Sequence, residues 1–380
     1  MSNHDCHRVR GTVATRSADA DEARRYLGEA GFTDDPESPL DDLLERMGGV
    51  ADTVRRLVGL IPVTNIDGAL EVLEDKQIEA SPIHGVGHLG HAGFFAGAGP
   101  KDAPEASLPE VSRGCHVVAV VDSGIAPAGN RPNWMLYPNV LADSYDEEQT
   151  YPSHGTHVAS VIRQVSPAHA VSLAAAKPIE WDWFEPYDTQ HENDDNIPTT
   201  ELDVFGAIVR LVERHKDHPH EVVGLNLSLG APKCGEKDGY LIVLREAIEY
   251  WWHHMGRNAP VFAPAGNANE GRRVYPAAFP GVRAVAAAED GGRLVVWDDG
   301  PEDAPARSWL TDVAPGVGIL GLSGKDDRAV VNWSGSSFAS AVACAASSRR
   351  APFEVKEGVC YWQDRGVDYS SIAGLQYAQP

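Results

Sequence analysis

Short unbroken apolar runs alternate with stretches of helical spacing from residue 112 onward. CHVVAVV (115–121), HAVSLAAAK (169–177), VVGLNLSLG (222–230), APVFAPAG (259–266) and VRAVAAA (282–288) have the length and content of strands buried on both faces. Between them THVASVIRQV, ELDVFGAIVRLVERH and GYLIVLREAIEYWWHHM repeat apolar positions every three to four residues, which predicts helices. Buried strands alternating with helices predict an α/β fold, a mostly parallel sheet with helices on both faces. In such sheets chemistry gathers at the carboxyl ends of strands.

Upstream the texture differs. Asp19–Ala30 and Pro39–Leu60 carry helical spacing, the second through Leu40, Leu43, Leu44, Met47, Val50, Val54 and Leu57. Asn65-Ile66-Asp67 is placed to cap a further helix, GALEVLEDK, and QIEASPIHG reads as a short extended piece. The predicted organisation is a small N-terminal α or α+β domain (1–91), an Ala/Gly/Pro-rich linker (92–111), the α/β domain (112–350) and a tail without a readable motif (351–380).

Composition narrows the function classes. The 380 residues include 55 acidic and 32 basic side chains, a net charge of −23, and 43% are hydrophobic. That apolar share excludes a wholly disordered chain, and the length suits two domains. The negative balance argues against nucleic acid or an anionic membrane as the main partner. No apolar run approaches the ~18 residues of a membrane span. The first residues, MSNHDCHRVRGTVATR, show no secretory signal. Cysteines 6, 115, 234, 344 and 360 are odd in number, widely spaced and free of a CxxC pair, so reduced thiols, a cytoplasmic location and no structural zinc are expected. His84, His88 and His91 have only loose metal spacing with glycines between them, and no metal site is assigned. One segment is biased: 180–203 holds nine acidic residues and no Lys or Arg.

Three residues carry candidate chemistry. Asp122 closes a buried strand in VVAVVDSGI, His154 sits in SHGTHVAS at a helix start, and Ser337 sits where a Gly-Ser turn enters an Ala-rich helix. A serine hydroxyl needs an adjacent base, a histidine can be that base, and a buried carboxylate can hold its tautomer. A helix N-terminus favours developing negative charge. Asn267, just past a strand in APAGNANE, has the amide to donate to an oxyanion. Taken singly, each has an ordinary reading as a turn, cap or packing residue; the combination changes the odds.

These stretches resemble the subtilisin-like serine proteases (subtilases). Val121-Asp122-Ser123-Gly124 matches the family's Asp motif, and His154 to Ala159 matches H-G-T-H-V-A without change. Gly335-Ser336-Ser337-Phe338-Ala339-Ser340-Ala341 follows its Ser motif, Ala265-Gly266-Asn267 its oxyanion motif, and Asn226-Leu227-Ser228-Leu229-Gly230 its substrate strand. The resemblance implies the subtilisin-like fold and a serine endopeptidase: Asp122 orienter, His154 general base and acid, Ser337 nucleophile, Asn267 oxyanion donor. It also implies peptide binding at Ser228, Leu229, Gly230 and Gly266. Ser336, Phe338, Ala341 and Val342 stand where the family has Thr, Met, Pro and His, and the proline helps seat the helix. No cofactor is evident; the resemblance allows calcium, but no ligand set is recognisable. The expected substrate is a peptide or protein, basic in view of the acidic segment. Residues 1–110 are expected to act as an inhibitory prodomain or to bind a regulatory protein. Leu60-Ile61-Pro62-Val63 is similar to an inhibitory motif of intracellular subtilisins, though far upstream of Asp122.

Two rival readings remain. Gly335-x-Ser337-x-Ala339 is close to the nucleophile elbow of α/β-hydrolases, but that fold needs a His after the Ser and none follows His254. The other is a subtilase-like scaffold serving as a regulatory or binding module, which an activated serine would separate from an enzyme.

Overall fold

The computed structural model describes residues 8–32, 35–88, 101–102, 116–125, 152–166, 169–176, 184–185, 199–232, 241–267, 273–289, 309–322, 330–347, 354–356 and 359–361. In chain order the elements begin β1 (Arg8–Arg16), α1 (Ala20–Ala30), α2 (Leu40–Met47), α3 (Ala51–Leu57), β2 (Val58–Pro62), α4 (Ile66–Asp75) and β3 (Ala80–His88). There follow β4 (Lys101–Asp102), β5 (His116–Asp122), α5 (Pro152–Val165), β6 (His169–Ala175), β7 (Phe184–Glu185), β8 (Thr199–Thr200), α6 (Glu201–His215), β9 (Val222–Leu227), β10 (Leu229–Pro232) and α7 (Ile242–Met255). The last are β11 (Val261–Pro264), β12 (Val274–Tyr275), β13 (Arg283–Ala288), β14 (Asp312–Pro315), β15 (Ile319–Leu322), β16 (Val330–Trp333), α8 (Ser336–Ser347), β17 (Glu354–Lys356) and β18 (Val359–Tyr361). The chain divides into two compact units: residues 1–86, 176–210 and 231–251, and residues 87–175, 211–230 and 252–380.

In the first unit β1 lies antiparallel between β2 and β3, with Val13 opposite both Ile61 and Pro82. Helices α1 and α4 cover it, and Val13, Leu27, Ile61, Val63, Ile66 and Leu73 form its core. Asn65 caps α4 as its position predicts, its side chain accepting from Gly68 N–H at 3.0 Å. The helix predicted over Pro39–Leu60 is corrected in two places. It breaks at Gly48, whose φ of +59° lies outside the helical region, and the chain turns extended at Val58. Val58, Leu60 and Ile61 are apolar residues that serve either helix or strand, and pairing with Thr12–Arg16 decides for strand. Leu60-Ile61-Pro62 lies in β2 and Val63 just past it, with Ile61 2% exposed.

Glu201, the first residue of α6, is wholly buried. One carboxylate oxygen accepts from the His84 backbone N–H at 2.8 Å and the His84 Nδ1–H at 3.1 Å, and the other from Leu244 N–H at 3.0 Å, in the first turn of α7. His84 is thus committed to a carboxylate, while His91 lies outside the described residues.

The second unit holds a six-stranded sheet in the order β14-β13-β11-β9-β5-β6, every pair of it parallel. Helices α5 and α8 pack on each other and on the sheet. Val118, Val120, Val158, Ile162, Phe262, Val285, Phe338 and Val342 fill the space between, each essentially without exposure. The apolar runs at 115–121, 169–177, 259–266 and 282–288 supply β5, β6, β11 and β13, as read from the sequence. VVGLNLSLG is split at Ser228 into β9 and β10. No helix among the described residues is long and apolar enough to cross a membrane.

Candidate active site

Three neighbouring strands, β5, β9 and β11, end close to the candidate residues. Asp122 is the last residue of β5, Ser228 follows β9, and Asn267 lies three residues past β11. This is where a parallel sheet places its chemistry. Gly266 has a φ of +96°, a conformation suited to glycine, and so allows the turn that brings Asn267 over the sheet end.

Asp122 and His154 are both fully buried. Asp122 Oδ1 accepts from His154 Nδ1 at 2.8 Å, from Ser123 N–H at 2.7 Å and from the Ser123 hydroxyl at 3.2 Å. An ionised carboxylate only accepts, so the proton of His154 sits on Nδ1 and Nε2 is the basic nitrogen. Ser123 Oγ in turn accepts from Gly155 N–H at 3.3 Å, joining the end of β5 to the start of α5. Gly155 is the residue that permits this approach: a Cβ there would run into the Gly124 carbonyl and lie 3.2 Å from Asp122 Oδ1. The helix begins at Pro152, three residues before the glycine that the sequence suggests as its start.

Ser337 is the second residue of α8 and is buried. The first N–H groups of a helix point toward its N-terminal end, and Ser337 supplies one of them. The Ser336 N–H donates to Asn267 Oδ1 at 2.7 Å. That bond fixes the amide, because only its oxygen can accept, and turns Nδ2 away as a donor. Ser228 Oγ donates to the Ser337 carbonyl at 3.2 Å. Gly87 and His88, the last residues of β3, pair antiparallel with Gly230 and Leu229. An extended segment therefore lies along the strand read as peptide-binding.

Several neighbours of these residues were given no role by the sequence. His157 is fully buried and lies one helical turn from His154. Burial, and after it the neighbouring His154, pushes its pKa down to about 3, so it is neutral at neutral pH. Trp333 meets the His154 ring edge-to-face at 5.5 Å and Phe338 lies 5.4 Å from it, so the residue after Ser337 touches the base candidate. The same two rings lie 5.5 and 4.6 Å from His157. The i, i+3 spacing of the two histidines on a helix was the available signal. Among the described residues no group of three or more His, Cys, Asp or Glu could hold a metal ion. Cys344 is a free buried thiol whose pKa burial raises. Cys234 and most of the acidic segment lie outside the described residues. The segment's last two acids, Glu201 and Asp203, lie in α6 and are buried.

The family model described as the subtilase family matches residues 115–349, more than half of the chain. The chain belongs to the subtilase family. It is accordingly a subtilisin-like serine endopeptidase with a peptide or protein substrate. Among solved structures it is similar to fervidolysin from Fervidobacterium pennivorans, a keratinolytic enzyme related to subtilisin, at 15% identity and a TM-score of 0.53. That match covers 90% of this subtilase and 54% of the other chain, so it spans about half of fervidolysin's length and speaks to fold alone. The patellamide maturation protease PatA is 24% identical over 63% of this chain and 79% of its own, at a TM-score of 0.43. The epidermin leader peptide processing serine protease EpiP from Staphylococcus aureus is 12% identical over 89% and 87%, at 0.45. No curated protein matches the sequence.

Proposed function

We propose that this subtilase cleaves peptide bonds through an acyl-enzyme on Ser337. The observation that carries the reading is the buried Asp122–His154 hydrogen bond of 2.8 Å, in the same unit as a serine at the N-terminus of α8. His154 Nε2 takes the hydroxyl proton as Ser337 Oγ attacks the scissile carbonyl carbon. Asp122 holds the ring and stabilises the imidazolium. The carbonyl oxygen, now negative, is held by Asn267 Nδ2 and the Ser337 N–H. Collapse of this intermediate breaks the C–N bond, and His154 gives its proton to the leaving amine. Water then repeats the sequence in place of Ser337 and releases the acid. The test is labelling by a fluorophosphonate probe beside peptide hydrolysis. Wild type is labelled and active, and Ser337→Ala is neither; a labelled Ser337→Ala chain would overturn the assignment.

The finer reading concerns the N-terminal segment. Residues 1–110 act as an inhibitory prodomain whose exit strand lies on the peptide-binding strand. The support is the antiparallel register of Gly87 and His88 on Gly230 and Leu229, the manner in which an extended peptide adds to a sheet edge. Substrates carrying Arg or Lys near the cut are preferred, which the seven acidic residues between 180 and 195 favour by long-range attraction.

A further inference from the structure

We propose that Asn226 and Ser340 are positioning residues that hold the nucleophile-bearing turn of α8 against the peptide-binding strand. The proposal rests on the reading of Ser337 as nucleophile. Three buried hydrogen bonds form one chain. Ser340 Oγ lies 2.6 Å from Asn226 Oδ1, Asn226 Nδ2 lies 2.6 Å from Ser228 Oγ, and Ser228 Oγ lies 3.2 Å from the Ser337 carbonyl oxygen. Asn226, Ser228, Ser337 and Ser340 are each 0% exposed, so water does not compete.

The direction of every proton is set. Carbonyl oxygens only accept and the amide nitrogen only donates. Ser340 therefore donates to Asn226, Asn226 to Ser228, and Ser228 to Ser337. The chain starts and ends on α8, since Ser337 and Ser340 are one turn apart on the same face. Both are tied to the end of β9 and the residue after it. A second tie on the same turn is the Ser336–Asn267 bond. Together they fix the first turn of α8 from two strands. Ser228 also leads directly into Leu229 and Gly230, so the relay links the register of a bound peptide to the placement of Ser337. Misplacing a reacting group by about 1 Å can cost about 10²-fold in rate.

The test uses the full chain, incubated so that any self-cleavage is complete, with sites counted by fluorophosphonate titration. Turnover per titrated site, KM and the labelling rate are measured well below Tm for Ser340→Ala, Asn226→Asp and Ser340→Thr. Asn226→Asp keeps the acceptor for Ser340 and removes the donor to Ser228. Ser340→Ala and Asn226→Asp should lose about 10²-fold in kcat and in labelling rate, with KM within about threefold. Ser340→Thr, which keeps the hydroxyl, should recover most of the rate. Should Asn226→Asp fail to fold, the Ser340 pair carries the test. Unchanged kcat, a loss confined to KM, or no recovery in Ser340→Thr would overturn the positioning role alone. Absence of labelling in wild type would overturn the nucleophile assignment and the positioning role with it.

Discussion

Asn267 shows how one bond orients a side chain. Its oxygen is committed to the Ser336 N–H, so its amide nitrogen is the group aimed elsewhere. Asn267→Ala is expected to lower turnover by about 10²–10³-fold with KM little changed, the scale of one lost oxyanion donor. Steady-state kinetics checks it, and an Asn267→Ala enzyme as active as wild type would remove Asn267 from the mechanism. His157 gives a prediction of another kind. Its pKa is pushed down to about 3 in the fold from an ordinary value of 6.5. Between those values the unfolded chain binds a proton that the folded chain does not, so stability falls as pH drops through the window and is unaffected above it. One proton sets a limiting slope of about 1.4 kcal/mol per pH unit. Urea midpoints measured from pH 7 to pH 4 should therefore fall more steeply in wild type than in His157→Phe, and parallel curves would show that His157 does not carry the effect.

At the scale of elements, the junctions between strand ends and helix starts matter most. Gly155, in the first turn of α5, lies against the Gly124 carbonyl, a backbone group that cannot swing aside, and close to Asp122 Oδ1. Gly155→Ala is expected to abolish hydrolysis and to cost about 1–3 kcal/mol, the scale of overpacking; thermal unfolding and an activity assay read both. In the first unit Glu201 joins β3, α6 and α7 through His84 and Leu244. Glu201→Ala would strand buried donors at about 1–3 kcal/mol each, and the expected result is a lower urea midpoint for that unit. The same junction shows why the acidic segment overstates its charge when read as a string. Glu201 and Asp203 count among its nine carboxylates, yet both are buried, and burial raises the Asp203 pKa.

For the molecule as a whole, the proposed inhibition makes a concentration-dependent claim. Residues 1–110 added as a separate polypeptide should inhibit the self-processed enzyme at micromolar concentration. No inhibition would sink the prodomain reading while leaving the endopeptidase intact. A peptide-library profile at low and high salt tests the taste for basic substrates. Enrichment of Arg and Lys should be greatest at low salt, because the Debye length shrinks to ~8 Å at 0.15 M. Equal absence at both would dispose of it.

The sequence by itself determined the parallel sheet and the residues to watch. A strand buried on both faces must be apolar along its length, so β5, β6, β11 and β13 announce themselves without any partner being known. Local motifs around Asp122, His154, Ser337 and Asn267 are legible for a similar reason: each is a strand end or a helix start, written in contiguous residues. What only the tertiary structure decided lies in contacts between distant segments. β1 reads RVRGTVATR, whose polar residues give no buried-strand signal, and it is a strand because β2 and β3 pair on either side of it. Val58–Pro62 serves helix or strand equally until Thr12–Arg16 lies beside it. The relay from Ser340 through Asn226 and Ser228 joins residues more than 100 positions apart, as does the carboxylate of Glu201 under His84. A hydrogen bond requires its two groups within about 3 Å, and only the folded chain sets that separation.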